Sequence, residues 1–173
     1  MYIRNANLND LEKILTIYAK ARAFMREHGN ETQWQNNYPP EESLRENIRD
    51  GKLKLAITDD NIAGENIVGE EIVGENIACV FYFAVEEEPT YAYIEGSWPD
   101  NEPYGVVHRV ASAKKGGATF AIRWAMTQCK NLRIDTHDDN YPMQNLVTKL
   151  GFGFCGYIFL ADGSPRRAYA IRN

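Results

Sequence analysis

The stretch from Tyr104 to Thr119, YGVVHRVASAKKGGAT, constrains this chain more than any other, because an apolar β run meets a glycine-lysine turn and then a helix. Val106, Val107, Val110 and Ala111 make the β run, with His108 and Arg109 set into its middle. Phe120, Ala121, Trp124 and Ala125 recur at helical spacing, so Gly116-Gly117-Ala118-Thr119 is predicted to be the first helical turn. Glycine inside a helix costs about 1 kcal/mol relative to alanine, so a pair there implies close approach of the backbone to something. Free amides at a helix N-terminus, a dipole of about +0.5 charge, and Lys114 and Lys115 together suit a phosphorylated ligand.

The other elements follow from periodicity. Met1 to Arg4 reads as a strand, and Asn7 and Asp10 as a polar helix entry. Leu11, Ile14, Leu15, Tyr18, Ala21 and Met25 then share one helical face up to Gly29. A loop at 30–38 carries Trp34 and Tyr38, and a proline-started helix from Glu41 ends near Gly51. Trp34 and Tyr38 either cover an acceptor pocket or anchor their loop to the core. Leu53 to Thr58 and Cys79 to Val85 have strand composition. Between them, near-copies with a period of five (NIAGE, NIVGE, EIVGE, NIACV) occupy 61–80. An odd period sends successive isoleucines to opposite faces of a strand, so the expectation is an expanded hairpin at about 60–78.

After an acidic segment from Glu86, Tyr91, Tyr93, Trp98 and Tyr104 cluster in sequence and are candidates to wall a pocket for a cationic amine, Trp98 and Tyr104 foremost, against plain packing. Asn131 to His137 is a strand with Arg133, Asp135 and His137 on one face, and strand, helix, strand suggests a parallel crossover. A helix from Asn140 precedes Gly151, and Phe152 to Leu160 pairs with Arg167 to Ile171 across Asp162-Gly163. The sum is an α/β chain, residues 1–173 in one domain, with a mixed sheet of about six to seven strands and helices on both faces.

A net charge of −5 over 173 residues argues against nucleic-acid binding through a basic face, and mildly favours cationic substrates. Cys79, Cys129 and Cys155 lack C-x-x-C spacing, so neither a disulfide framework nor a metal site is expected; adjacent His137-Asp138-Asp139 side chains diverge in a strand. With no apolar leader and no apolar run of spanning length, the expected location is cytoplasmic, away from membranes. The absence of G-x-x-x-x-G-K-[ST] disfavours a P-loop nucleotide binder.

Ala113-Lys114-Lys115-Gly116-Gly117-Ala118 resembles the R/Q-x-x-G-x-G/A pyrophosphate loop of the GNAT acetyltransferases, with alanine in the Arg or Gln position. Downstream, Asn140 to Phe152 resembles that family's N-x-x-A-x-x-L-Y-x-K-x-G-F segment. The resemblance implies a GNAT-like fold whose fourth and fifth strands, here Val106 to Ser112 and Leu132 to His137, splay apart. It implies acetyl-CoA as co-substrate, bound by Val110, Ala111, Ser112, Lys114, Lys115, Gly116, Gly117, Ala118, Thr119 and Asn140. It further implies transfer of acetyl to a primary amine by direct attack, with a backbone N–H near Val110 polarising the thioester.

The family's tyrosine acid aligns with Val147, which has no proton to give, so Tyr141 or a water is its candidate replacement. A non-catalytic acyl-CoA sensor stays open beside the enzyme reading. For the base, His108 is expected to share a strand face with Val106, Val110 and Ser112, with an ordinary pKa near 6.5 suited to the task, and His137 is the second choice. Expected partners are acetyl-CoA and an amine acceptor, with a homodimer left open.

Overall fold

A computed structural model of the chain describes residues 1–58 and 76–173. The repeat copies at 61–75, and the hairpin expected to carry them, lie outside the described residues; the last copy opens a strand at Asn76. In chain order the elements are β1 (Tyr2–Asn5), α1 (Leu11–Glu27), α2 (Glu41–Arg49), β2 (Leu53–Thr58), β3 (Asn76–Val85), β4 (Glu95–Gly96), β5 (Gly105–Ser112), α3 (Gly117–Gln128), β6 (Asn131–Thr136), α4 (Tyr141–Lys149), β7 (Gly153–Phe159) and β8 (Pro165–Arg172). One sheet runs β1-β2-β3-β5-β6-β8-β7-β4. Among the described residues only β5 and β6 are parallel neighbours. The eighth strand, beyond the expected count, is the two-residue β4 on the outer edge against β7.

Apolar patterning decides which face each helix covers. Leu11, Ile14, Ile17 and Tyr18 of α1 and Leu44 and Ile48 of α2 pack with Leu53, Leu55 and Val80 on one face. Ala121, Ile122 and Ala125 of α3 and Val147 of α4 pack with Phe81, Phe83 and Val107 on the other. Local chemistry starts α1: the Asn7 side chain accepts from the Asn9 amide, and Asp10 accepts from the Asn7 amide at 2.8 Å and pairs with Arg4 at 2.8 Å. Both ends of the polar turn are thereby satisfied before the apolar stripe begins.

Two irregularities of the central strands shape the site. Against β3, Ser112 pairs with Cys79 and Ala111 with Val80, but His108 pairs with Tyr82, so Arg109 and Val110 together face Phe81. This is a β-bulge, with Arg109 in the left-handed region at φ 55°. The extra residue inverts the alternation beyond it: Ala111 packs with the α1 cluster while Val110 packs with the α3 cluster. The expectation that His108 shares a face with Val110 and Ser112 is therefore corrected. The second irregularity is the end of the parallel ladder at Val107↔Ile134, although β5 stays paired with β3 to Ser112 and β6 with β8 to Thr136. A wedge opens between them.

The bulge is held from α1. The hydroxyl of fully buried Tyr18 donates to the Arg109 carbonyl at 2.9 Å, replacing the partner that an irregular ladder withholds. Tyr18→Phe should lower unfolding free energy by about 1–2 kcal/mol in denaturant titrations, because it strands that carbonyl. A loss within a few tenths of a kcal/mol would mean the bulge does not need the bond.

Candidate functional site

The wedge is the meeting point of two clefts. One, of about 760 Å³, lies over His108, Asp135 and Glu88. The other, of about 730 Å³, runs along Val110 to Lys115 and the start of α3. Met25, Val110, Asn140 and Met143 line both. Each has the size of a small-ligand site, and the residues they share place them side by side where β5 and β6 part.

The second cleft collects most of the residues expected at a coenzyme. Val110, Ala111, Ser112, Lys114, Lys115, Ala118 and Asn140 line it, with Phe24, Pro142 and Leu146 giving apolar wall. Gly116, Gly117 and Thr119 sit beside it at the start of α3. The amides there are less open than the sequence suggests. Gly117 N donates to Lys114 O at 3.1 Å, and Ala118 N donates to the Ser112 hydroxyl at 3.3 Å, which itself donates to Lys114 O at 2.8 Å. Ser112 thus caps the helix. Of the first three amides, only that of Thr119 has no partner among the described residues.

The two glycines also have separate reasons. Gly116 needs its left-handed φ of 84°, whereas a Cβ on Gly117 would stand 2.4 Å from the Ala78 carbonyl oxygen. The close approach read from the glycine pair is, at Gly117, an approach to the chain's own β3.

In the first cleft, four side chains from three elements interlock. His108 Nε2 lies 3.2 Å from Glu88 Oε2 and Nδ1 lies 3.3 Å from Asp135 Oδ1, while the Tyr91 hydroxyl donates to Asp135 Oδ1 at 2.8 Å. The imidazole side chain keeps 22 % exposure. Burial alone would lower its pKa; hydrogen bonds to Asp135 and Glu88 and their charges overturn that and raise it to about 9. The pKa near 6.5 expected from sequence is corrected: at pH 7 the imidazolium form dominates. The reciprocal effect, led by the His108 hydrogen bond, holds the Glu88 carboxyl down to about 2. Glu88 is fixed by Thr90, whose amide and hydroxyl donate to Oε1 at 3.2 and 2.9 Å, and its own amide donates to the Tyr104 hydroxyl at 3.0 Å.

His137 also lines this cleft, but Nδ1 accepts the Asp139 amide at 3.1 Å, which puts its proton on Nε2, 3.2 Å from Thr32 Oγ1. Burial, then the Arg166 charge, lowers its pKa. It ties the 30–38 loop to β6. Trp34 and Tyr38 line the cleft from that loop; Trp34 is packed on Tyr18, and Tyr38 accepts a hydrogen bond from Arg109 Nε at 3.0 Å. These contacts anchor the loop, and the two rings also form part of the cleft wall.

Trp98 and Tyr104 lie outside both clefts. Their rings sandwich Arg133, 4.3 and 3.8 Å from the guanidinium carbon, so the cation they receive belongs to the chain. Tyr141 is 62 % exposed and lines neither cleft, and Val147, in the family's tyrosine position, is fully buried in the α3 cluster. Glu88, Asp135 and Arg109 were not singled out as site residues, and Tyr91 only as one of a cluster of aromatics; Glu88 before Pro89, at the N-cap of a short 3-10 turn, is the one local pattern that could have pointed to it. Among the described residues no cluster suited to a metal ion occurs, and no helix is long and apolar enough to cross a membrane.

Comparison with solved structures places the whole architecture. A GNAT-family acetyltransferase from Streptococcus agalactiae superposes with a TM-score of 0.80 at 26 % identity, over 99 % of this chain and 95 % of that one. A putative acetyltransferase from Staphylococcus aureus gives 0.67 at 22 %, over 99 % of both. A chain of the NatC complex bound to Gag peptide and CoA gives 0.55 at 11 %, over 99 % and 98 %. No family sequence model and no curated protein sequence matches the chain.

Proposed function

We propose that this chain, which has the fold of the GNAT acetyltransferases over nearly its whole length, transfers an acetyl group from acetyl-CoA to a primary amine in a ternary complex. The observation that carries the reading is the shared boundary of the two clefts at Val110, Met25, Asn140 and Met143, where a donor in one cleft and an acceptor in the other would meet. The residues present fit the coenzyme. An apolar passage suits a pantetheine chain, and Lys115, Lys114 and the Thr119 amide gather positive potential where phosphates would end.

Bound acetyl-CoA supplies the electrophilic thioester carbonyl, and everything else is done by the chain. The Arg109-Val110 bulge turns backbone out of the regular ladder at the wedge, and an N–H there would stabilise negative charge developing on a thioester carbonyl held beside it. Glu88 and Asp135, with one imidazolium between them, leave the acceptor end one net negative charge, which draws an ammonium toward the wedge. His108 takes the amine's proton at Nε2, directly or through one water, once it is itself neutral. Its pKa of about 9 lies close to the ordinary alkylammonium value of about 10.4, so that transfer is nearly balanced. A thiol is a good enough leaving group to depart without a protein acid, consistent with valine at 147.

The test is thiol release from acetyl-CoA across a panel of primary amines, beside coenzyme-induced thermal stabilisation. Both are expected, and Lys115→Glu should weaken coenzyme affinity about tenfold or more, the loss of about one charge-assisted contact. Stabilisation by the coenzyme with no thiol release from any amine would return the chain to a non-catalytic acyl-CoA binder. No stabilisation at all would remove the coenzyme.

A further inference from the structure

Arg166 is a buried cation with no carboxylate in ion-pair contact among the described residues, although its charge acts on Asp135 and Asp162 from farther off. Only 7 % exposed, it donates through Nη1 to the Pro165 carbonyl at 2.8 Å and the Ser164 hydroxyl at 3.3 Å, and its side chain lines the acceptor cleft. Arg4, Arg45, Arg49, Arg167 and Arg172 all stand within ion-pair distance of an Asp or Glu. Among the described residues none does so for Arg166. Arg109 across the same cleft is alike: its guanidinium bonds the Tyr38 and Ser43 hydroxyls at 3.0 and 2.9 Å and meets no carboxylate. Among the described residues no guanidinium nitrogen of either arginine is buried without a hydrogen-bond partner, so the N–H donors that these bonds leave unused open onto the cleft, where an anion can meet them.

The position of Arg166 says where that anion lies. In the β6-β8 ladder Asp135 faces Ala168, so Arg166, two residues earlier on β8, projects from the same sheet face as Asp135. The cleft therefore has an acidic end, Glu88 and Asp135 around His108, and basic walls at Arg166 and Arg109. We propose that the acceptor carries an anionic oxygen group, a carboxylate or a phosphate, a few bonds from its amine, and that Arg166 binds this group while the acidic end takes the ammonium. Arginine's planar fork matches either anion through two parallel N–H bonds.

This inference rests on the proposed acetyl transfer, and its test separates the two. Thiol release is measured for an amino acid against its carboxamide, and for an aminoalkyl phosphate against its parent amino alcohol. At least one anionic member is expected to exceed its neutral partner in kcat/KM by about tenfold to 10²-fold, and the pair that shows it identifies the anion. Arg166→Met should bring that ratio close to one. Arg166→Lys, which keeps the charge but loses the fork, should lower it partway and decides the matter if the methionine variant does not fold. Neutral and anionic partners used equally by the native chain, or a ratio unchanged in both variants, overturns the assignment while acetyl transfer stands. No thiol release from any amine overturns both.

Discussion

Replacing His108 with alanine is expected to lower kcat/KM for amine acetylation by about 10²-fold to 10⁴-fold, or about 3 to 5 kcal/mol of transition-state stabilisation. In the native chain log kcat/KM should rise with pH and level off near 9, because the imidazole is raised to about 9 and accepts a proton only when neutral. At pH 7 only about 1 % of it is in that form. Since Glu88 and Asp135 share the titration, the observed value belongs to the cluster. His108→Ala should remove that limb. Coenzyme affinity must be unchanged for the loss to be read as chemistry, since Val110 is only two residues away.

The same shift gives a stability signature with a definite sign. A histidine raised from 6.5 to about 9 stabilises the fold fully below pH 6.5, and that contribution, on the order of 3 kcal/mol, is lost as pH rises through 9. Urea unfolding at pH 6 and pH 10 should show this difference in the native chain and little of it in His108→Ala. A variant that loses the stability difference yet keeps the rate and its pH limb would make His108 a structural ion-pair partner only.

The reasons why some of this was legible in the sequence and some was not are local. The start of α3 announces itself, because a glycine pair interrupts two strongly periodic apolar segments. So do the parallel crossover and the last hairpin. The bulge does not: its left-handed residue is Arg109, a residue type that carries no turn signal, and without it the alternation from Val106 to Ser112 misplaces His108 relative to Val110. The charge cluster is equally silent, since Glu88, His108 and Asp135 come from a loop and two strands and no spacing rule joins them. Their proximity also decides the pKa, which a reference value for histidine cannot supply. Trp98 and Tyr104 were candidates to wall a pocket for a cationic amine, but their rings are occupied by Arg133 of the same chain, a pairing that no sequence spacing announces. β4 is two residues long, with Glu95 opposite Tyr157 and Gly96 opposite Gly156, too short for any alternation to be read.

Substituting alanine at Gly117 should damage the protein far more than the same change one residue earlier, although the two glycines look interchangeable in the sequence. A Cβ at Gly117 would stand 2.4 Å from the Ala78 oxygen and 2.9 Å from its carbon, both backbone atoms of β3 that cannot rotate away. That oxygen also accepts the amides of Ala113 at 2.8 Å and Lys114 at 3.1 Å, so it is the point on which the whole turn is hung. The start of α3 must therefore move outward, and the expected cost is about 3 kcal/mol, or about 6–12 °C in Tm for a chain of this size. At Gly116 a Cβ meets nothing within 4 Å, and only the left-handed φ is penalised, about 1 kcal/mol or about 3 °C. Displacing α3 also shifts Lys115 and the Thr119 amide from the end of the donor cleft, so Gly117→Ala should weaken coenzyme binding more than tenfold even where it remains folded. Equal melting points for the two variants would mean that α3 tolerates a shift against β3, and unchanged coenzyme affinity in Gly117→Ala would place the phosphates away from this helix.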